Sequence, residues 1–161
     1  MWRRRVTVLL RTAAVVAAWF GFDYLCVEPF RGNVVLRDVY QRSVMSESVD
    51  SKQSAVLARR NLRDLERVAR SCRLDPSWYL FYASNSEVLQ RWPEAADAYT
   101  GALRIDDRPE IYFQRGLVML RLGRIDAAVA DMATAARFKP NVLDGIDGEL
   151  RARVAAAAGV R

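Results

Sequence analysis

The chain has 161 residues, 25 Lys or Arg against 19 Asp or Glu, two cysteines and no histidine, which allows one modest globular domain plus an appendage. The missing histidine removes the commonest general base and zinc ligand, and Cys26 and Cys72 lack the paired spacing of a metal knuckle or redox motif, so both read as structural thiols. The net charge of +6 is almost all arginine, spread along the chain without interleaved aromatic residues or a recognised binding module, which argues against nucleic acid as the partner.

Met1–Arg5 is a basic head, and Val6–Phe22 is an apolar run interrupted by Thr7, Arg11 and Thr12. Trp2 stands at one end, with Trp19, Phe20, Phe22 and Tyr24 at the other; a helix between Trp2 and Tyr24 rises about 33 Å, close to the thickness of a bilayer core. Residues 1–27 therefore predict a single-pass transmembrane anchor. The competing expectation is a secretory signal cleaved after Val16-Ala17-Ala18. Arg3, Arg4, Arg5 and Arg11 precede the centre of the run and Asp23 and Glu28 follow it, so the positive-inside rule leaves the N-terminus in the cytoplasm and the remainder on the other side. The Arg-rich, Lys-poor, Ala-rich composition suits a GC-rich bacterium, in which that other side is the periplasm. Ala13, Ala17 and Gly21, with Ala14 and Ala18 beside them, form a smooth strip that another transmembrane helix can pack on; a lipid-facing anchor is the alternative.

Residues 28–50 read as a juxtamembrane segment and linker. Breaks are expected at Glu28-Pro29 and Gly32-Asn33, then a short apolar segment over Val34–Tyr40, then a Ser-rich loop over Ser43–Val49. Val35, Leu36 and Val39 share a face that lies against the membrane, a neighbouring subunit or the domain itself. In residues 51–75, Ala58, Leu62, Leu65, Ala69 and Cys72 recur at alternating four and three, which predicts an amphipathic helix from Asp50 or Ser51 to Cys72. Arg59, Arg60, Arg63, Arg67 and Arg70 occupy its other side, as a solvated face or as a contact for an acidic partner or anionic head groups.

From Pro76 to Asn141 the sequence repeats itself at an offset of 33 residues: Ala83 falls on Gly116, Leu89 on Leu122, Arg91 on Arg124, Ala95 on Ala128, Tyr99 on Met132 and Ala102 on Ala135. Such a period points to stacked helical hairpins. The second copy places Tyr112, Arg115, Gly116 and Met119, then Ala128, Met132, Ala135 and Pro140, at the sites of the W-x2-L-G-x2-Y and A-x3-F-x2-A-x4-P pattern, and the first places Tyr79, Tyr82, Ala83 and Ser86, then Ala95, Tyr99, Ala102 and Asp107. The stretch thus resembles the tetratricopeptide repeat family, departing from it at Arg115, Ser86 and Asp107. The resemblance covers about 40% of the chain and implies an all-α solenoid of hairpins over 76–108 and 109–141 with flanking capping helices. The ending Ser71–Pro76 is similar to the close of a repeat, so the amphipathic helix is either half of a degenerate leading repeat or a separate flank.

Helices are expected over Ser77–Gln90, Pro93–Ile105, Pro109–Leu122 and Ile125–Phe138, with Gly123 closing the third and Lys139-Pro140 stopping the fourth. Residues 142–161 form the C-terminal cap, helical over Val142–Ala158 with Leu143, Ile146, Leu150 and Val154 on its buried face and Gly145 and Gly148 weakening its start. In the resembled family the first helix of each hairpin lines a concave groove. That register implies a partner groove of Leu80, Ser84, Glu87, Val88, Glu110, Phe113, Leu117, Leu120 and Arg121, partly filled by the flanking helices. The lining lacks the basic set that clamps acidic chaperone tails. The acidic pairs Asp106-Asp107 and Asp144 with Asp147 lie at helix boundaries, and Gly145-x2-Gly148 has neither a preceding strand nor a following P-loop lysine, so no enzyme, metal or cofactor is expected. The expected role is a non-catalytic, membrane-anchored scaffold, either an accessory subunit or assembly factor of a bacterial membrane complex or a free adaptor for envelope, secretion, pilus or polysaccharide assembly. A cleaved signal makes it instead a soluble periplasmic binding module.

Overall fold

The computed structural model describes Ala17, residues 27–46 and residues 48–160. The expected anchor and its strip of Ala13, Ala14, Ala18 and Gly21 lie outside the described residues; Ala17 is helical and exposed. Among the described residues there are seven α-helices, one 3-10 helix and no strand, so the chain is all-α there. None of these helices is long and apolar enough to cross a membrane.

The helices are α1 (Glu28–Ser46), α2 (Ser51–Cys72), α3 (Pro76–Val88), α4 (Trp92–Leu103), α5 (Pro109–Arg121) and α6 (Ile125–Phe138), then the 3-10 helix Pro140–Gly145 and α7 (Gly148–Ala158). Each α-helix packs on the next, and α1 also reaches α3. Three contacts show that the helices pair as antiparallel hairpins. Gly32 near the start of α1 lies against Cys72 at the end of α2, and the Tyr79 ring near the start of α3 covers Gly101 near the end of α4. Glu110 at the start of α5 meets Lys139, just past α6, at 2.9 Å.

Local chemistry sets several boundaries. The Asp50 carboxylate accepts the Gln53 N–H at 2.8 Å and starts α2; Asp75 accepts the Ser77 N–H at 2.8 Å and starts α3, with Pro76 in the first turn, where a missing N–H costs nothing. Gly123, at φ +70°, follows the end of α5 in the left-handed region that favours glycine. Lys139-Pro140 ends α6 as expected.

Two expectations are corrected. Residues 28–46 form one continuous helix rather than a broken segment and linker. Gly32 is buried in that helix, and a Cβ there would stand 2.6 Å from Cys72 Sγ, so the glycine serves close helix approach instead of a break. The serines are tolerated near the helix end because the Ser46 hydroxyl donates back to the Ser43 carbonyl at 2.7 Å. The C-terminal cap is divided where one helix was expected: a 3-10 turn ends at Gly145, and α7 starts at Gly148, which has φ +61°. Its apolar face is nevertheless as read, with Leu143, Ile146 and Val154 buried and Leu150 packed beside them.

The core has three parts. Leu36 and Val39 of α1, Leu65, Val68 and Cys72 of α2, and Trp78 and Phe81 of α3 form the first, so the apolar face of α1 lies on the domain itself. The second joins Ala83, Ala95, Tyr99, Ala102, Ile111 and Val118. The third joins α6 to the C-terminal cap through Val129, Met132, Ala136, Leu143 and Val154. Alanine supplies much of the second and third, which lets neighbouring helices approach closely. A polar chain joins α2 to α3: Asn61, almost fully buried, donates to Asn85 Oδ1 at 2.9 Å, and Asn85 donates to the Phe81 carbonyl at 2.7 Å.

Candidate protein-binding groove

The nine expected groove residues all lie on α3 and α5, the first helices of the two repeated hairpins. The structure divides them. Ser84, Val88, Glu110, Leu117 and Arg121 are exposed, whereas Leu80, Glu87, Phe113 and Leu120 are half-buried. Leu80 packs on the second core cluster. Phe113 and Leu120 pack on the third, against α6 and the C-terminal cap, so part of the α5 lining is occupied by the chain's own end. A Cβ on Gly145 would sit 3.8 Å from the tip of the Phe113 ring.

The charged members are also engaged. Glu87 accepts the Tyr99 hydroxyl at 2.6 Å. Burial pushes the Glu87 carboxyl above its ordinary range, and the Tyr99 hydrogen bond partly opposes that shift. Burial also pushes the Tyr99 hydroxyl up, with the Glu87 hydrogen bond and charge adding to it. Glu110 is held below the usual carboxylate range by its hydrogen bond from Lys139. Both partners are exposed, so the pair fixes geometry more than it stabilises. The Arg121 guanidinium lies 5.9 Å from the centre of the Trp92 ring, a cation–π distance that ties the end of α5 to the start of α4.

What stays open to a partner is narrower than the nine residues: Ser84 and Val88 on α3, and Leu117 and Arg121 on α5. Val88 is 45% exposed and Leu117 36%, substantial for aliphatic side chains in so small a domain. Val88 lies on α3 and Leu117 and Arg121 on α5, and both helices pack on α4 between them.

One polar feature of α5 lies outside the sequence expectations. Arg115 makes a two-pronged ion pair with Asp131, Nε to Oδ2 at 2.8 Å and Nη2 to Oδ1 at 2.7 Å, and donates to Thr100 Oγ1 at 3.1 Å. It links α4, α5 and α6. The signal was present, since Arg115 stands where the repeat pattern has leucine, but its acidic partner is 16 residues away and reads as an ordinary surface aspartate.

Among the described residues no three His, Cys, Asp or Glu side chains converge on a metal position. Cys72 is a free thiol, buried against α1, whose pKa is raised by that burial and then by the nearby Asp75 charge. No known family model matches the chain, and no curated protein matches it.

Proposed function

We propose that the chain is a tetratricopeptide-like, non-catalytic scaffold held in a bacterial cytoplasmic membrane by residues 1–27, with its helical domain on the periplasmic side. Its role is that of an accessory subunit or assembly factor of a membrane protein complex. The observation that carries this reading is the coincidence of the 33-residue repeat with α3–α4 and α5–α6, whose first helices leave Val88, Leu117 and Arg121 accessible. The groove supplies recognition, and the anchor raises the local concentration of the domain beside membrane partners. Ala13, Ala17 and Gly21 supply a strip on which a neighbouring transmembrane helix packs.

Purification of the tagged full-length chain from native membranes in mild detergent tests this, with every co-migrating chain identified and its stoichiometry measured. A complex of fixed stoichiometry is the expected result. A lone protein with variable trace partners favours the free adaptor instead. Recovery in the soluble fraction, with a mature N-terminus near Trp19, means a cleaved signal and a soluble periplasmic module.

A further inference from the structure

The domain's excess positive charge sits on one helix. Residues 51–75 carry seven Lys or Arg against three Asp or Glu, whereas residues 27–50 carry three against four and residues 76–161 eleven against eleven. On α2 the exposed side chains of Arg59, Arg60, Arg63, Arg67 and Arg70 recur at spacings of three and four, on the side away from Ala58, Leu62, Leu65 and Cys72. Among the described residues Arg67 pairs with Asp64, but Arg59, Arg60, Arg63 and Arg70 have no acidic partner. An unneutralised row of this length on an otherwise balanced domain attracts a polyanion.

Further observations favour a membrane over other polyanions. Val56, 63% exposed, lies one turn before Arg59 and Arg60, and Leu74, 82% exposed, lies just past the end of α2. Phe30, 68% exposed, stands at the same end of the hairpin, because Gly32 packs on Cys72. Arginines beside exposed apolar side chains match a bilayer interface, where the guanidinium forks meet phosphates and the apolar groups enter the acyl boundary. The chain also arrives here: from Val27 to Gly32 is only about 8 Å of helix, and the sequence before it is the apolar run Val6–Phe22.

We propose that α2 lies along an anionic bilayer surface, with Arg59, Arg60, Arg63 and Arg70 against lipid phosphates and Val56 and Leu74 in the interface. The proposal rests on the anchored reading above. An upright hairpin would leave Arg59 about 20 Å of helix from the Cys72 end, beyond the Debye length of about 8 Å; a recumbent one brings the whole row within reach.

The test uses the full-length chain with Cys26→Ser, and Cys72 left in place because it is buried. A polarity-sensitive fluorophore is attached through Val56→Cys or, as control, through Ala127→Cys on α6. Vesicles are phosphatidylcholine alone or an about two-to-one mixture with phosphatidylglycerol, with a nitroxide-headgroup lipid as quencher. In the anionic vesicles, quenching at position 56 is expected to exceed that at position 127 by about fivefold, and to fall to the control level in pure phosphatidylcholine, in high salt and after Arg59→Glu, Arg60→Glu and Arg63→Glu together. The lipid and salt comparisons need no substitution in the row, so a misfolded triple variant leaves the test intact. Equal quenching at positions 56 and 127, or at position 56 in both lipids, overturns the proposal, as does retardation of duplex DNA by the protein without lipid quenching. Flotation of the same vesicles after alkaline carbonate reports the anchor separately: loss of the protein from the vesicles refutes anchoring, while anchored protein without selective quenching refutes only the docking of α2.

Discussion

The hairpins α3–α4 and α5–α6 share one register, 33 residues apart, and hold it by opposite means. At the position pair Glu87 and Tyr99 the first hairpin is hydrogen-bonded; its counterpart, Leu120 and Met132, is apolar. At Tyr82 and Ala98 the first hairpin is apolar; its counterpart, Arg115 and Asp131, is the two-pronged ion pair. The turns differ too: Gln90 adopts φ +56° where Gly123 adopts φ +70°. Small residues fix the register, Gly101 under Tyr79 in one hairpin and Gly116 against Met132 in the other. The polar contact can therefore move between positions without altering the fold.

The largest effect is expected from breaking the ion pair on one side only. Asp131→Ala leaves a mostly buried guanidinium uncompensated and should cost about 3 kcal/mol, read from denaturant midpoints of the full chain in detergent. Adding Arg115→Tyr, which copies the first hairpin's Tyr82 and Ala98, should recover most of that loss. A double variant no better than Asp131→Ala would show that the two hairpins are not interchangeable at this pair.

Gly116→Leu tests the shared register directly. A Cβ at this position would stand 2.8 Å from Met132 Cγ and 3.3 Å from the Ala128 carbonyl, so the leucine should destabilise by about 2–3 kcal/mol through overpacking. An unchanged melting temperature would mean that helix approach at Gly116 does not hold the hairpin.

The two turns predict opposite, smaller responses. Gln90→Gly should stabilise by about 1 kcal/mol by removing the cost of a left-handed non-glycine residue, and Gly123→Gln should destabilise by a similar amount. Thermal unfolding of the pair checks the signs, and matching signs would mean that the left-handed backbone does not set the stability of the two turns.

The smallest effect is a pH dependence. Because the Glu87 pKa is raised in the folded state, the native protein holds that proton more tightly than the unfolded chain. The resulting stability is present at low pH and is lost as pH rises from about 4 through the raised value. Glu87→Gln removes this loss, so its stability relative to the parent should grow as pH increases through that window. A difference that stays flat with pH would mean that Glu87 is not desolvated.

These contrasts also mark what could be read in advance. The bounds of α2 and α6 and the stop at Lys139-Pro140 were legible because caps and prolines act locally. The continuity of α1 was not, because Gly32 reads as a helix breaker until Cys72, 40 residues away, is known to need the space. The division of the C-terminal cap is half legible: Gly145 and Gly148 weaken the helix start in the sequence, but a left-handed Gly148 is a tertiary outcome. Of the expected groove residues, Val88, Leu117 and Arg121 are exposed. The covering of Phe113 and Leu120 depends on how the cap folds back, which no periodicity within α5 encodes.

Repeating the native-membrane purification with Val88→Glu and Leu117→Glu together asks whether the proposed scaffold recruits its partners through these side chains. Both side chains are exposed, so the helical signal by circular dichroism should be unchanged while the stoichiometric partner chains are lost. A folded double variant that retains every partner at full stoichiometry would show that these side chains do not recruit them.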